Sequence, residues 1–145
     1  MEIIFESTEQ FEADLKNHSE AEHDIIVQQL HEYSALLLED KRDQERRIHQ
    51  FHQFDGLEDY GSSLYSFIVN YYLRVILTID DDPLFDRIII TLFRVVDSQF
   101  VAEIYQQVGE SIYQSFLPTK PLTEIKSCYS RHHHSLMNAG LFAKL

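Results

Sequence analysis

Apolar positions along this chain change their period twice. Residues 1–6 open with Ile3, Ile4 and Phe5, a β-forming cluster. Ser7 or Thr8 then offers a hydroxyl to the first free amides of a helix, and Glu9 suits the positive end of the helix dipole. Phe11 and Leu15 lie four apart and give that short helix one apolar stripe. Ser19, followed by Glu20 and Glu22, is a second helix start. Ile26, Leu30, Tyr33 and Leu37 then recur at helical spacing, which predicts an amphipathic helix over 20–39. Residues 40–47 are almost wholly charged and either continue the helix, with Asp43–Arg47 as an i,i+4 pair, or form an exposed bend. Ile48, Phe51 and Phe54 return at helical spacing, and Gly56 is a stop.

After Gly61 the period shortens. Tyr65, Phe67 and Val69 alternate as in a strand, 72–80 reads as a second, and 87–96 is a third, β-branched and central. Asp80, Asp81, Asp82 and Pro83 are expected to form the turn between the last two. Helical spacing resumes in 100–116 through Val101, Ile104, Tyr105, Val108 and Ile112, and Pro118 and Pro121 mark the exit. Strands joined by short turns must be antiparallel, because a parallel crossover takes about a dozen residues. The expected fold class is α+β: an antiparallel sheet of about four strands, with the first strand beside a later one, two N-terminal helices, and a C-terminal helix and tail.

Length and charge refine this picture. The 145 residues suit one domain, read as 1–117 with a tail over 118–145. The tail carries Lys120, Lys126, Arg131 and Lys144 against Glu124, a net +3. The chain totals −12, so the body carries −15. An acidic body repels nucleic acid and favours basic partners. The lone Cys128 excludes an internal disulfide and fits a cytoplasmic location. The opening MEIIFEST lacks the basic start of a signal peptide, and no apolar run approaches the roughly 20 residues of a membrane span, so no membrane association is expected.

Several groups invite a chemical reading. Glu45, His49 and His52 share one face if the helix continues, but they lack an evident fourth ligand, so no metal is expected. His132, His133 and His134 form a run beside Arg131, which reads as part of a basic tail able to fold back over the sheet. Asp80–Asp82 reads as a solvated turn. Cys128 has cationic neighbours in Lys126 and Arg131 but no histidine–carboxylate pair to make it a nucleophile.

The order strand, helix, helix, meander, and the stretch GLEDYGSSLYSFIVNYYLRVILTIDDDPLFDRIIITLFRVVDSQFVAEIY, resemble the RelE/ParE toxin superfamily over about residues 1–116. The anchors are Leu64, Tyr65, Arg74, Val75, Ile79, Asp80, the 88–96 strand and Tyr105. The resemblance implies a curled antiparallel sheet clasped by a helical hairpin. It also implies the toxin role in a type II toxin–antitoxin system, with a small cognate antitoxin as partner. In RelE-like members the implied activity is metal-independent, cofactor-free cleavage of ribosome-bound mRNA, using cations to stabilise the transition state. Carried over by position, Arg74 is the strand arginine and Tyr105 the tyrosine after the last strand. His133 of the tail is a candidate proton donor. The family's two strand lysines fall near Ser66 and Ile68, and its next basic position near Gln99, all uncharged here. The site is therefore degenerate. The alternative is a non-enzymatic acidic module, or an inactive RelE-like relative, that binds a basic protein.

Overall fold

A computed structural model describes residues 1–39, 46–51 and 62–113, together with the backbone of 131–132. The chain runs β1 (Glu2–Thr8), α1 (Glu9–Lys16), α2 (Glu20–Leu38), β2 (Ile48–His49), β3 (Leu64–Ile68), β4 (Leu73–Asp82), β5 (Arg87–Asp97), a 3-10 turn (Ser98–Phe100), α3 (Val101–Tyr113) and β6 (Arg131–His132).

Both N-terminal helices start where their caps predict. The Thr8 hydroxyl accepts from the Phe11 amide, which opens α1 directly at the end of β1. Ser19 forms a reciprocal capping box with Glu22, whose carboxyl is held below its usual range chiefly by the Ser19 amide. Ile26, Leu30 and Tyr33 are buried along one face of α2, as their spacing requires.

Six strands form one sheet in the order β2-β3-β4-β5-β1-β6. β2 through β5 are antiparallel neighbours, and β1 joins beside a later strand. The expectation of a wholly antiparallel sheet is overturned, because β1 runs parallel to β5, with Ile3 opposite Ile88 and Phe5 opposite Ile90. The helical spacing of Ile48, Phe51 and Phe54 is also overridden: Ile48 and His49 are a strand paired with Phe67 and Ser66, while Phe54 lies outside the described residues. β1 and β5 are neighbours in space but far apart in the chain, so no short turn forces them antiparallel. The stretch from Thr8 to Arg87 easily supplies the long connection that a parallel pair needs.

Alternation along the strands builds two cores. Phe5, Phe67, Val75, Leu77, Ile90 and Leu92 pack with Phe11, Leu15, Ile26, Leu30 and Tyr33 of α1 and α2. Leu64, Ile76, Phe93 and Val96 turn the other way and pack with Val101 and Tyr105. The sheet thus lies between α1 and α2 on one side and α3 on the other.

The register shifts between Ile76 and Leu77 and skips Phe93, a bulge that kinks β5 against β4. Asp14 of α1 is buried beside it. Its carboxylate accepts from Arg94 Nε at 2.7 Å and Nη2 at 3.4 Å, and from the Val95 amide at 2.9 Å. One acidic side chain on α1 thereby fastens the helix to β5 and satisfies backbone at the kink.

The expected aspartate turn lies further along. β4 continues through Asp82, and 83–86 make the turn. Asp82 has its own partner in Arg87 at 2.8 Å, so the carboxylates end the strand rather than bend it.

Thr78 and Thr91 face each other across β4 and β5, both buried, and neither hydroxyl has a hydrogen-bond partner among the described residues. An orphaned buried hydroxyl carries an uncompensated desolvation penalty. Thr91→Val is therefore expected to raise stability by about 1 kcal/mol in denaturant melts. A loss of stability would instead reveal a partner for that hydroxyl.

Candidate functional site

The sequence singled out Arg74, Tyr105 and His133. Arg74 lies on β4 opposite Ile68 and Val96. It is two residues before Ile76, so it occupies a register position on the face that α3 covers. Its Nη1 donates to Asn70 O at 2.6 Å and to Leu73 O at 3.0 Å. Asn70 lies in the β3–β4 turn and Leu73 opens β4. The Asn70 side chain organises that same turn by accepting from the amides of Tyr72 and Leu73 at 3.0 and 2.9 Å. Arg74 is half-buried and closes the hairpin. The acidic residues at the far end of the same hairpin have other partners: Asp82 pairs with Arg87, and Asp86 with the Met1 ammonium at 3.1 Å.

Tyr105 is fully buried on α3, and its hydroxyl donates to Leu64 O at 2.8 Å. Phe51 meets its ring edge-on at 5.4 Å. Burial pushes the phenol well above its ordinary range. A hydroxyl in that state is a neutral donor that anchors α3 to β3, and it is a poor general base at neutral pH. Val96, the cross-strand partner of Arg74, packs in the same cluster as Tyr105. The fold thus brings the two residues to one face, each bonded to backbone carbonyl oxygen.

His133 lies outside the described residues, as do Glu45, His52, His134 and Cys128. His49 sits on β2, not on a helix, with its ring 4.7 Å from Phe51. The backbone of Arg131 and His132 pairs with Thr8 and Ser7, so this part of the tail lies along β1. The positions where the resemblance puts further cations hold a buried Ser66, a half-buried Ile68 and an exposed Gln99. Among the described residues, no cluster of three histidine, cysteine or acidic side chains is placed to hold a metal ion, and no helix is long and apolar enough to cross a membrane.

Arg47, whose expected helical partner Asp43 lies outside the described residues, has partners that its spacing does not reveal. Arg47 donates from Nε and Nη2 to Ile68 O at 3.0 and 2.7 Å, and from Nη2 to Gln29 of α2 at 2.7 Å. Its guanidinium lies 4.8 Å from the Phe67 ring centroid, and burial lowers its pKa. It ties α2 to the end of β3. Arg47 stands in a run of charges that looks solvated, so only the approach of Ile68, 21 residues later, reveals its role.

Arg47 and Arg74 share a chemistry. Planar fork donors hold carbonyls at the exit of β3, where the chain leaves the ladder and its oxygens need partners. The arrangement stiffens the β3–β4 end of the sheet. It defines an α+β protein with one mixed sheet and helices on both faces. Compared with protein-family models, curated proteins and solved structures, the chain has no match in any of the three.

Proposed function

We propose that this protein is a non-enzymatic binding module with an acidic surface that docks on a basic protein partner. The observation that carries this reading is the joint use of Arg74 and Tyr105. The cation and the phenol on which phosphate chemistry would rest are both bonded to backbone carbonyls, in a chain of net charge −12. Phosphate-cutting chemistry needs cations aimed at the charge that develops in the transition state. A surface this acidic favours a basic protein over a polyanion.

The test pairs two assays. Ribosome-bound message incubated with the protein is expected to stay intact, and Arg74→Ala is expected to behave as wild type. Binding to a basic partner is expected to weaken steeply as salt rises. Cleavage that disappears in Arg74→Ala would replace this reading with a nuclease.

A second reading keeps the RelE/ParE toxin relationship. The order β1, α1, α2 and then antiparallel strands favours it, as does a shared face for Arg74 and Tyr105. The parallel β1 departs from the sheet that this relationship implies. On this reading the chain is the toxin of a type II pair, bound by a small antitoxin and acting on mRNA or a protein target. Growth arrest on expression, relieved by a co-expressed neighbouring small protein, would favour it.

A further inference from the structure

The tip of the β4–β5 hairpin exposes two large apolar side chains where a turn ordinarily carries polar ones. Leu84 is 88% exposed and Phe85 68%. Burying either would remove apolar surface from water, a gain that their own fold leaves unused.

The tip is built rather than loose. Asp82 holds Arg87 at 2.8 Å, and the Arg87 guanidinium lies 5.0 Å from the Phe85 ring centroid. The Phe85 amide donates to Asp82 O at 3.3 Å, and the Glu2 amide donates to Asp86 O at 3.2 Å. Asp86 itself takes a positive φ of 49°, a conformation that a residue with a Cβ adopts at some cost. Side chains already ordered before contact lose less entropy on binding.

Charge around the tip is net negative. Arg87 is matched by Asp82, and the Met1 ammonium by Asp86. Glu2, Asp80 and Asp81 remain, all exposed and with no ion pair among the described residues. An apolar centre with a charged rim is the usual anatomy of a docking site, and the rim sign selects the partner. An anionic lipid surface would be repelled by this collar.

We propose that Leu84 and Phe85, within the carboxylates of Glu2, Asp80 and Asp81, form the docking surface for a basic protein segment. Apolar residues of that segment cover the tip, and its lysines or arginines meet the collar. This inference rests on the binding-module reading and gives it a location.

The test is amide NMR titration of the full chain with three synthetic peptides: a basic amphipathic one with leucines at helical spacing, the same peptide with serine for each leucine, and a charge-reversed version. Saturable shifts confined to residues 80–87 and the start of β1 are expected with the first peptide alone. Leu84→Ser and Phe85→Ser should each weaken it about tenfold or more, and Asp80→Lys with Asp81→Lys should do the same. The exposed positions leave the fold intact, which a thermal melt of each variant checks. Equal binding of the serine peptide, or shifts centred on exposed Tyr71, Tyr72 and Phe100 at the opposite end of β4, would overturn the location while the basic-partner reading survives. Absence of binding by either basic peptide would overturn both. Binding to phosphatidylserine vesicles that Leu84→Ser abolishes would replace the protein partner with a membrane.

Discussion

Replacing Asp14 with alanine is expected to destabilise the protein by about 3–5 kcal/mol, the range for removing one partner of a buried ion pair. The carboxylate serves a half-buried guanidinium and a buried backbone amide. It accepts from Arg94 Nε at 2.7 Å and from the Val95 amide at 2.9 Å. Alanine leaves a guanidinium and a backbone amide without acceptors, and both penalties add to the lost tie between α1 and β5. Asp14→Asn separates the two roles. Its amide oxygen still accepts from Val95 while the charge pairing with Arg94 is lost, so an intermediate loss of about 1–2 kcal/mol is expected. Urea melts of the two variants decide the matter. An alanine variant within about 1 kcal/mol of wild type would show that Arg94 finds water instead, as partly exposed arginines can.

Raising the pH above 10 is expected to unfold the protein sharply, with Tyr33 and Tyr105 responsible. Burial raises Tyr33 to about 12 and Tyr105 further still. In the unfolded chain both ionise near 10. Between the unfolded and folded values the unfolded state has released protons that the native state retains, so stability falls as pH rises. The contribution is fully present below pH 10. It declines by about 1.4 kcal/mol per pH unit for each tyrosine until the folded value is passed. Tyr65 is raised by burial as well and acts in the same direction. Ultraviolet titration should show the buried phenols ionising together with the loss of structure. Tyr33→Phe with Tyr105→Phe should flatten the pH dependence above 10. A double variant with the wild-type slope would assign alkaline unfolding to other groups. The single Tyr105→Phe also tests its bond to Leu64 O, which is left without that donor.

The two tyrosines and Asp14 illustrate unequal legibility. Tyr33 and Tyr105 were readable as core from their helical spacing with Leu30 and with Val101 and Val108, because periodicity reports which face of a helix is apolar. Asp14 gave no such signal. One carboxylate in a short helix looks solvated until β5 is laid beside it, 80 residues on. Arg74 stood out because it sits amid β-branched residues, but its acceptors are the carbonyls of Asn70 and Leu73, whose placement only the folded hairpin defines. Leu84 and Phe85 follow directly on the turn expected at Asp80–Pro83, and only the fold shows that they form its tip and stay outside.

Residue order alone determined the kinds of element and most of their limits: the capped helices at Thr8 and Ser19, the three long strands, α3, and the acidic body. Each of these depends on local backbone preference and on side-chain period within a few turns or pleats. The tertiary structure decided the direction of β1, the role of Ile48 and His49 as a strand, and which donors Asp14, Arg47 and Arg74 would meet or supply. Those outcomes depend on contacts between segments far apart in the chain, where a neighbouring strand or one neighbouring carbonyl settles a side chain's chemistry.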